Sequence, residues 1–107
     1  MENQTLQTQT NLNNLLKQLT ATEYDDSVKK SLAIAMQRTD SEIHNIDLTI
    51  KDIYFEFKNK KIGDIIEAIR QGSLGKYGLT YKLNTQAVCY WINQYLKEKY
   101  KYNQDRL

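Results

Sequence analysis

Residues 72–102 read GSLGKYGLTYKLNTQAVCYWINQYLKEKYKY, and the reading of this stretch decides the fold. It holds three of the four glycines, the single Trp, the single Cys and six of the eight tyrosines, so turn chemistry and aromatic mass gather in one place. Val88, Trp91, Ile92, Tyr95 and Leu96 recur at helical spacing and predict one buried stripe along a long helix. Gln86, Tyr90, Asn93, Lys97 and Lys101 fall on the other side of that helix, offering hydrogen bonds, a ring and positive charge outward. The glycine-rich lead-in predicts a short, irregular helix and a tight turn. A helix divided in this way and led in by a turn is the usual presentation of a DNA-reading helix.

Working back from this stretch, Ile62, Ile65, Ile66 and Ile69 form a clean helical face, with Gly72 expected to close it as a C-cap. Asn59, Lys60 and Lys61 interrupt the pattern before it. The run IYFEF at 53–57 is ambiguous: Ile50, Ile53, Tyr54 and Phe57 fit a helix, while Ile53, Phe55 and Phe57 fit a strand. Helix is the expectation, because no second strand candidate exists to pair with it. Thr49 is the expected cap. Further upstream, Asp25, Asp26 and Ser27 supply N-cap chemistry for a helix over 26–44 that buries Val28, Leu32, Ala35, Met36, Thr39 and Ile43. The sole histidine, His44, falls at its end. Leu12, Leu15, Leu16 and Leu19 predict a short helix ending at 20–22, packed on its own domain or on a second copy of the chain. Residues 1–10 are Gln, Thr and Asn around a single Leu and are expected to form a flexible tail. The expected organisation is therefore a tail over 1–10 and one helical domain over 11–107.

Composition supports this reading. At 107 residues the chain is of single-domain length, and the absence of proline favours helices throughout. One cysteine excludes an internal disulfide framework and fits a reducing, cytoplasmic setting. The start lacks signal-peptide character, and no apolar run is long enough to cross a bilayer. Charge is unevenly placed. Residues 1–50 carry four basic and seven acidic side chains, a balance of −3, whereas residues 51–107 carry eleven and six, a balance of +5. Polyanion binding concentrates charge in this way.

Catalytic constellations are nearly absent. Gly72, Gly75 and Gly78 match no phosphate-binding loop, and one histidine distant from one cysteine supports neither a nucleophile nor a metal site. No enzyme activity, metal or cofactor is expected.

Over residues 74–95 the sequence resembles the bacterial helix-turn-helix superfamily. Tyr77, Gly78 and Tyr81 match its first helix, Leu83 followed by Asn84 or Thr85 matches the turn, and Val88 and Trp91 match the two core residues of its second helix. Lys82 stands where the family prefers glycine. The phrase GSLGKYGLTYKL also resembles small proteins of bacterial phages and conjugative elements. The resemblance implies that the start of the second helix enters the major groove of duplex DNA, in a phage or mobile-element factor of replication or transcription.

The expectation is thus an all-α fold of four to five helices with a C-terminal helix-turn-helix over 74–102, acting as a non-catalytic DNA-binding protein. Gln86 and Tyr90 would meet base edges or sugars, with Asn93 on the same face. Asn84 and Thr85 would cap the helix and touch phosphate, and Lys76, Lys82, Lys97 and Lys101 would neutralise the backbone. The rival expectation is a protein-interaction or oligomeric module that turns its tyrosine-rich last helix toward protein, since Tyr and Trp also favour such interfaces.

Overall fold

The computed structural model describes residues 2–105, with side chains described for residues 21–101. Among the described residues the chain forms four α-helices and no strand: α1 (Glu2–Thr39), α2 (Ile46–Glu56), α3 (Ile62–Ser73) and α4 (Thr85–Asp105). Residues 2–10, expected as a flexible tail, and the short helix expected to end at 20–22 both belong to the continuous α1, while the packing of the leucine repeat over 12–19 concerns side chains outside the described ones.

Helix α1 runs through 20–27 without a break, so Asp25, Asp26 and Ser27 lie inside a helix and do not start one. No proline or glycine precedes Gly63, and Asp or Ser inside a helix costs only tenths of a kcal/mol, about 0.5. Packing of Val28, Leu32 and Ala35, all fully buried, outweighs that. The helix stops at Thr39, five residues short of the expected end. Asp40 takes the left-handed conformation at φ 50°, the Ser41 N–H reaches the Met36 carbonyl at 3.1 Å and the Asp40 N–H reaches that of Gln37 at 3.4 Å. This 6→1 and 5→2 pair is a Schellman stop. Beyond it Ile43 still packs against the core, while His44 is exposed in the connection.

The cap of α2 is Asn45, whose side chain accepts from the Leu48 N–H at 3.1 Å. Thr49, the expected cap, is instead a buried residue of the first turns. The 53–57 run is helical through Glu56, as expected, with Phe57 as the C-cap. Ile53 and Phe57 are buried four residues apart while Phe55 is 61% exposed, a period of about 3.6 and not of 2.

Helix α3 lies against both α1 and α4, and α2 rests on α1 and α4. The enclosed core is built from Val28, Leu32 and Ala35 of α1, Ile50 and Ile53 of α2, Ile65, Ala68 and Ile69 of α3, and Val88, Trp91, Ile92 and Leu96 of α4, with Phe57 and Leu83 entering from connections. The expected stripe of α4 is therefore the buried one. Tyr95 is half-buried at its edge.

Gly72 has a different role from the one expected. It lies within α3, buried, at a point where any Cβ would sit 2.1 Å from Cδ2 of Trp91. The helix stop comes three residues later: Gly75 has φ 90°, its N–H donates to the Gly72 carbonyl at 3.0 Å, and the Lys76 N–H donates to that of Gln71 at 3.1 Å. This is a second Schellman stop, with glycine at the left-handed position. The helix expected over 74–81 is consequently not formed. Residues 74–77 turn, Gly78 adopts φ 113°, and the connection to α4 spans residues 74–84. A DNA-binding helix-turn-helix joins its helices through three or four residues, so the first helix of the expected motif is replaced here by a long loop.

Asp64 and Lys99 fasten α3 to α4. Lys99 Nζ donates to Asp64 Oδ1 at 2.6 Å, the carboxylate side chain being 6% exposed and the lysine 42%. The bond to Asp64 holds the Lys99 ammonium above its ordinary pKa of 10.5. A raised cation stabilises the fold fully below its unfolded value, and that contribution is lost as pH rises through the folded value. Lys99→Met is therefore expected to destabilise the protein at neutral pH, and more than Asp64→Asn does, because it leaves a buried carboxylate without its partner. Urea unfolding from pH 7 to 12 checks both points: the gap between parent and Lys99→Met should close at the alkaline end.

Candidate nucleic-acid interface

Helix α4 is placed by its first residues. Asn84 Oδ1 accepts from the Ala87 N–H at 2.8 Å, making Asn84 the N-cap. Leu83, 1% exposed, enters the core, and its N–H donates to Ser41 Oγ at 2.8 Å. The Thr85 and Thr49 hydroxyls meet at 2.6 Å, and Thr49 Oγ1 also donates to the Asn45 carbonyl at 3.1 Å. These bonds join the start of α4 to the start of α2 and to the connection before it. They also engage Asn84 and Thr85: the former caps the helix as expected, while the latter, half-buried, works inward on α2.

The outer face of α4 agrees with the helical spacing. Gln86, Tyr90, Asn93, Lys97 and Lys101 are all exposed, spaced over roughly 22 Å at 1.5 Å per residue. Lys82 is exposed in the loop just before the helix. Lys76 stands apart from them. Its Nζ lies 3.3 Å from Glu98 Oε2 and 2.9 Å from Gln71 Oε1, on a flank about 100° round the helix from Lys97, and the pairing offsets much of its charge.

Charge is graded along this face. Residues 85–96 carry no charged side chain; Lys97 and Lys101 follow on this face, while Glu98 pairs with Lys76 on the flank and Lys99 turns to Asp64 of α3. At this end the connection between α2 and α3 adds cations that the expectation missed: Lys60 Nζ lies 5.2 Å from the centre of the Tyr100 ring. The run Lys58, Asn59, Lys60, Lys61 was the available signal, three lysines in four residues, but the spacing of the chain does not say which helix it adjoins. At the other end Cys89 is half-buried, and burial, then Glu56, then Asp52 push its thiol above the ordinary value. Carboxylates of α2 thus flank the uncharged half of α4. A raised thiol pKa leaves little thiolate for nucleophilic chemistry.

Elsewhere, a groove of about 700 Å³ runs between α1 and α2, lined by Tyr24, Tyr54, Phe55 and Ile50 with Asp25 and Asp47. The Tyr24 and Tyr54 rings meet edge to face at 5.5 Å. Among the described residues no cluster of three His, Cys, Asp or Glu side chains is placed to hold a metal ion, and no helix is long and apolar enough to cross a membrane. In comparisons with known proteins, no family model matches the chain, and no curated protein and no solved structure matches it either.

Proposed function

We propose that this chain is a non-catalytic, duplex-DNA-binding protein that lays the outer face of α4 on DNA. One observation carries the reading: Gln86, Tyr90, Asn93, Lys97 and Lys101 share one exposed face of a helix whose opposite side is core. Helix α4 is then presented by the long loop over 74–84 in place of a helix-turn-helix, and Lys60 joins Lys97 and Lys101 in neutralising phosphates. Asn84 and Thr85 are helix-start residues, and Lys76 contributes less than Lys82. The phage or mobile-element setting, a cytoplasmic location and a role in replication or transcription follow from the resemblance and belong to this proposal.

Two substitutions should separate the jobs of the two ends of the helix. Lys97→Ala removes a phosphate contact, so affinity for all duplexes should fall together and the salt slope should drop by about one unit. Gln86→Ala removes a base contact and should cost about 1–3 kcal/mol on the preferred site and little elsewhere. Both residues are exposed, so neither change should move the melting temperature by much. Titration of labelled duplex at two salt concentrations with parent and both variants is the test. A folded protein that retains no duplex at low salt would overturn the reading.

The aromatic groove between α1 and α2 favours a second reading, a protein-interaction or self-associating module. Tyr54 and Phe55 are 47% and 61% exposed there, next to half-buried Tyr24, and exposed aromatics suit protein interfaces. Loss of self-association on Phe55→Ser, with DNA binding absent, would support it.

A further inference from the structure

The loop ahead of α4 is held at both ends. At its entry Tyr77 is half-buried against the core, and its hydroxyl donates to Gln71 Oε1 at 3.1 Å. At its exit Leu83 is buried and bonded to Ser41. Between the anchors Gly78 turns the chain at φ 113°, with its N–H on the Gly75 carbonyl at 3.1 Å. The short tip that remains presents Leu79 at 81% exposure and Tyr81 at 89%. Tyr77 and Leu83 already supply this loop's share of the core, so packing does not account for two large side chains left in water.

Charge indicates what the tip meets. Arg70 and Lys76 are paired with Glu67 at 3.1 Å and Glu98 at 3.3 Å, so the unpaired cation beside the tip is Lys82. Lys82 adjoins Tyr81, is exposed, and enters no ion pair among the described residues. A ring and a leucine on a pinned loop, with the Lys82 cation beside them, suit a nucleobase whose phosphate carries the complementary charge. Aromatic rings stack on unstacked bases, and apolar side chains wedge between base steps. A tip fixed at both ends loses little freedom on binding.

We propose that the Leu79–Tyr81 tip is a base-stacking wedge, with Tyr81 stacking on a nucleobase that has left its helix, so that the protein prefers distorted or locally unpaired DNA over a perfect duplex. This rests on the DNA-binding reading of α4 and adds the kind of DNA. The test uses the full chain with two labelled probes: a fully paired duplex, and the same duplex with one unpaired 2-aminopurine. The parent should bind the second about tenfold more tightly and quench its fluorescence, the size expected of one stacked base. Tyr81→Ala should abolish both the preference and the quenching, with binding to the paired duplex held within about twofold and the melting temperature unchanged, because the ring is exposed. Tyr81→Phe should retain both, since stacking needs the ring and not the hydroxyl. If the parent binds both probes equally, or Tyr81→Ala keeps the preference, the wedge is overturned and the α4 reading stands. If the parent binds neither probe, both fall. If Tyr81→Ala changes only the sedimentation behaviour of the protein, the tip is a protein contact and the wedge is again overturned.

Discussion

Gly72→Ala is expected to destabilise the protein by about 3 kcal/mol or more, although the site lies in a helix where alanine is ordinarily the better residue. Helix propensity alone would favour the change by about 0.5–1 kcal/mol. Sterics decide against it. The added methyl would lie 2.1 Å from Cδ2, 2.2 Å from Cγ and 2.7 Å from Cε3 of Trp91. These are rigid ring atoms of a side chain that is 1% exposed, and ordinary carbon contacts begin near roughly 3.5 Å. The indole or the whole of α4 must move by roughly 1 Å or more to restore such a contact. Overpacking usually costs about 1–3 kcal/mol, and an overlap of this depth belongs at or above the upper end. The result also separates two roles for the glycine. Loss of a C-cap glycine would cost about 1 kcal/mol, the scale expected for Gly75→Ala, where the left-handed backbone is the obstacle. Guanidinium unfolding followed by far-UV circular dichroism checks both variants. A Gly72→Ala protein within about 1 kcal/mol of the parent, below the usual range for overpacking, would mean that α3 and α4 do not approach this closely.

Trp91→Ala is expected to cost about 3–5 kcal/mol, as truncation of a large buried aromatic does. Trp91 is the largest fully buried side chain, so its removal opens a cavity against Gly72 and the α3 face. Single domains are stable by about 5–15 kcal/mol, so either change removes a large share of the total. The two should not add. In the double variant the methyl introduced at position 72 enters space that the indole has vacated, and the combined cost should fall below the sum of the singles. Additive losses would mean that the two residues do not touch. A Trp91→Ala protein that melts like its parent would mean that the stripe of α4 faces outward and that the proposed DNA face, on the opposite side, faces the core.

The α3–α4 contact also shows what the sequence determined by itself. The buried stripe Val88, Trp91, Ile92 and Leu96, the helical choice at 53–57 and the outer face Gln86, Tyr90, Asn93, Lys97 and Lys101 all come from the 3.6-residue repeat. That repeat is a property of local chain geometry and needs no knowledge of neighbours. The N-cap was legible only as Asn84 or Thr85: the Asn84 bond closes within three residues, but the turn of Thr85 toward Thr49 depends on α2. The lead-in to α4 was not legible. Leu74, Tyr77 and Tyr81 have helical spacing, yet Leu74 and Tyr81 are exposed, and Gly75 and Gly78 turn left-handed because α3 must stop for α4 to return across it. Local propensity allows either state there, and the packing of Leu83 and Trp91 selects the loop. The same holds for Gly72, whose missing side chain matters only once an indole lies over it, and for Lys60, which adjoins the outer face only after the α2–α3 connection is set beside Tyr100. The Ser41–Leu83 and Thr49–Thr85 bonds join residues 42 and 36 positions apart. Such pairings carry no periodic trace in the chain, because three-dimensional closure, and not local backbone geometry, brings their partners together.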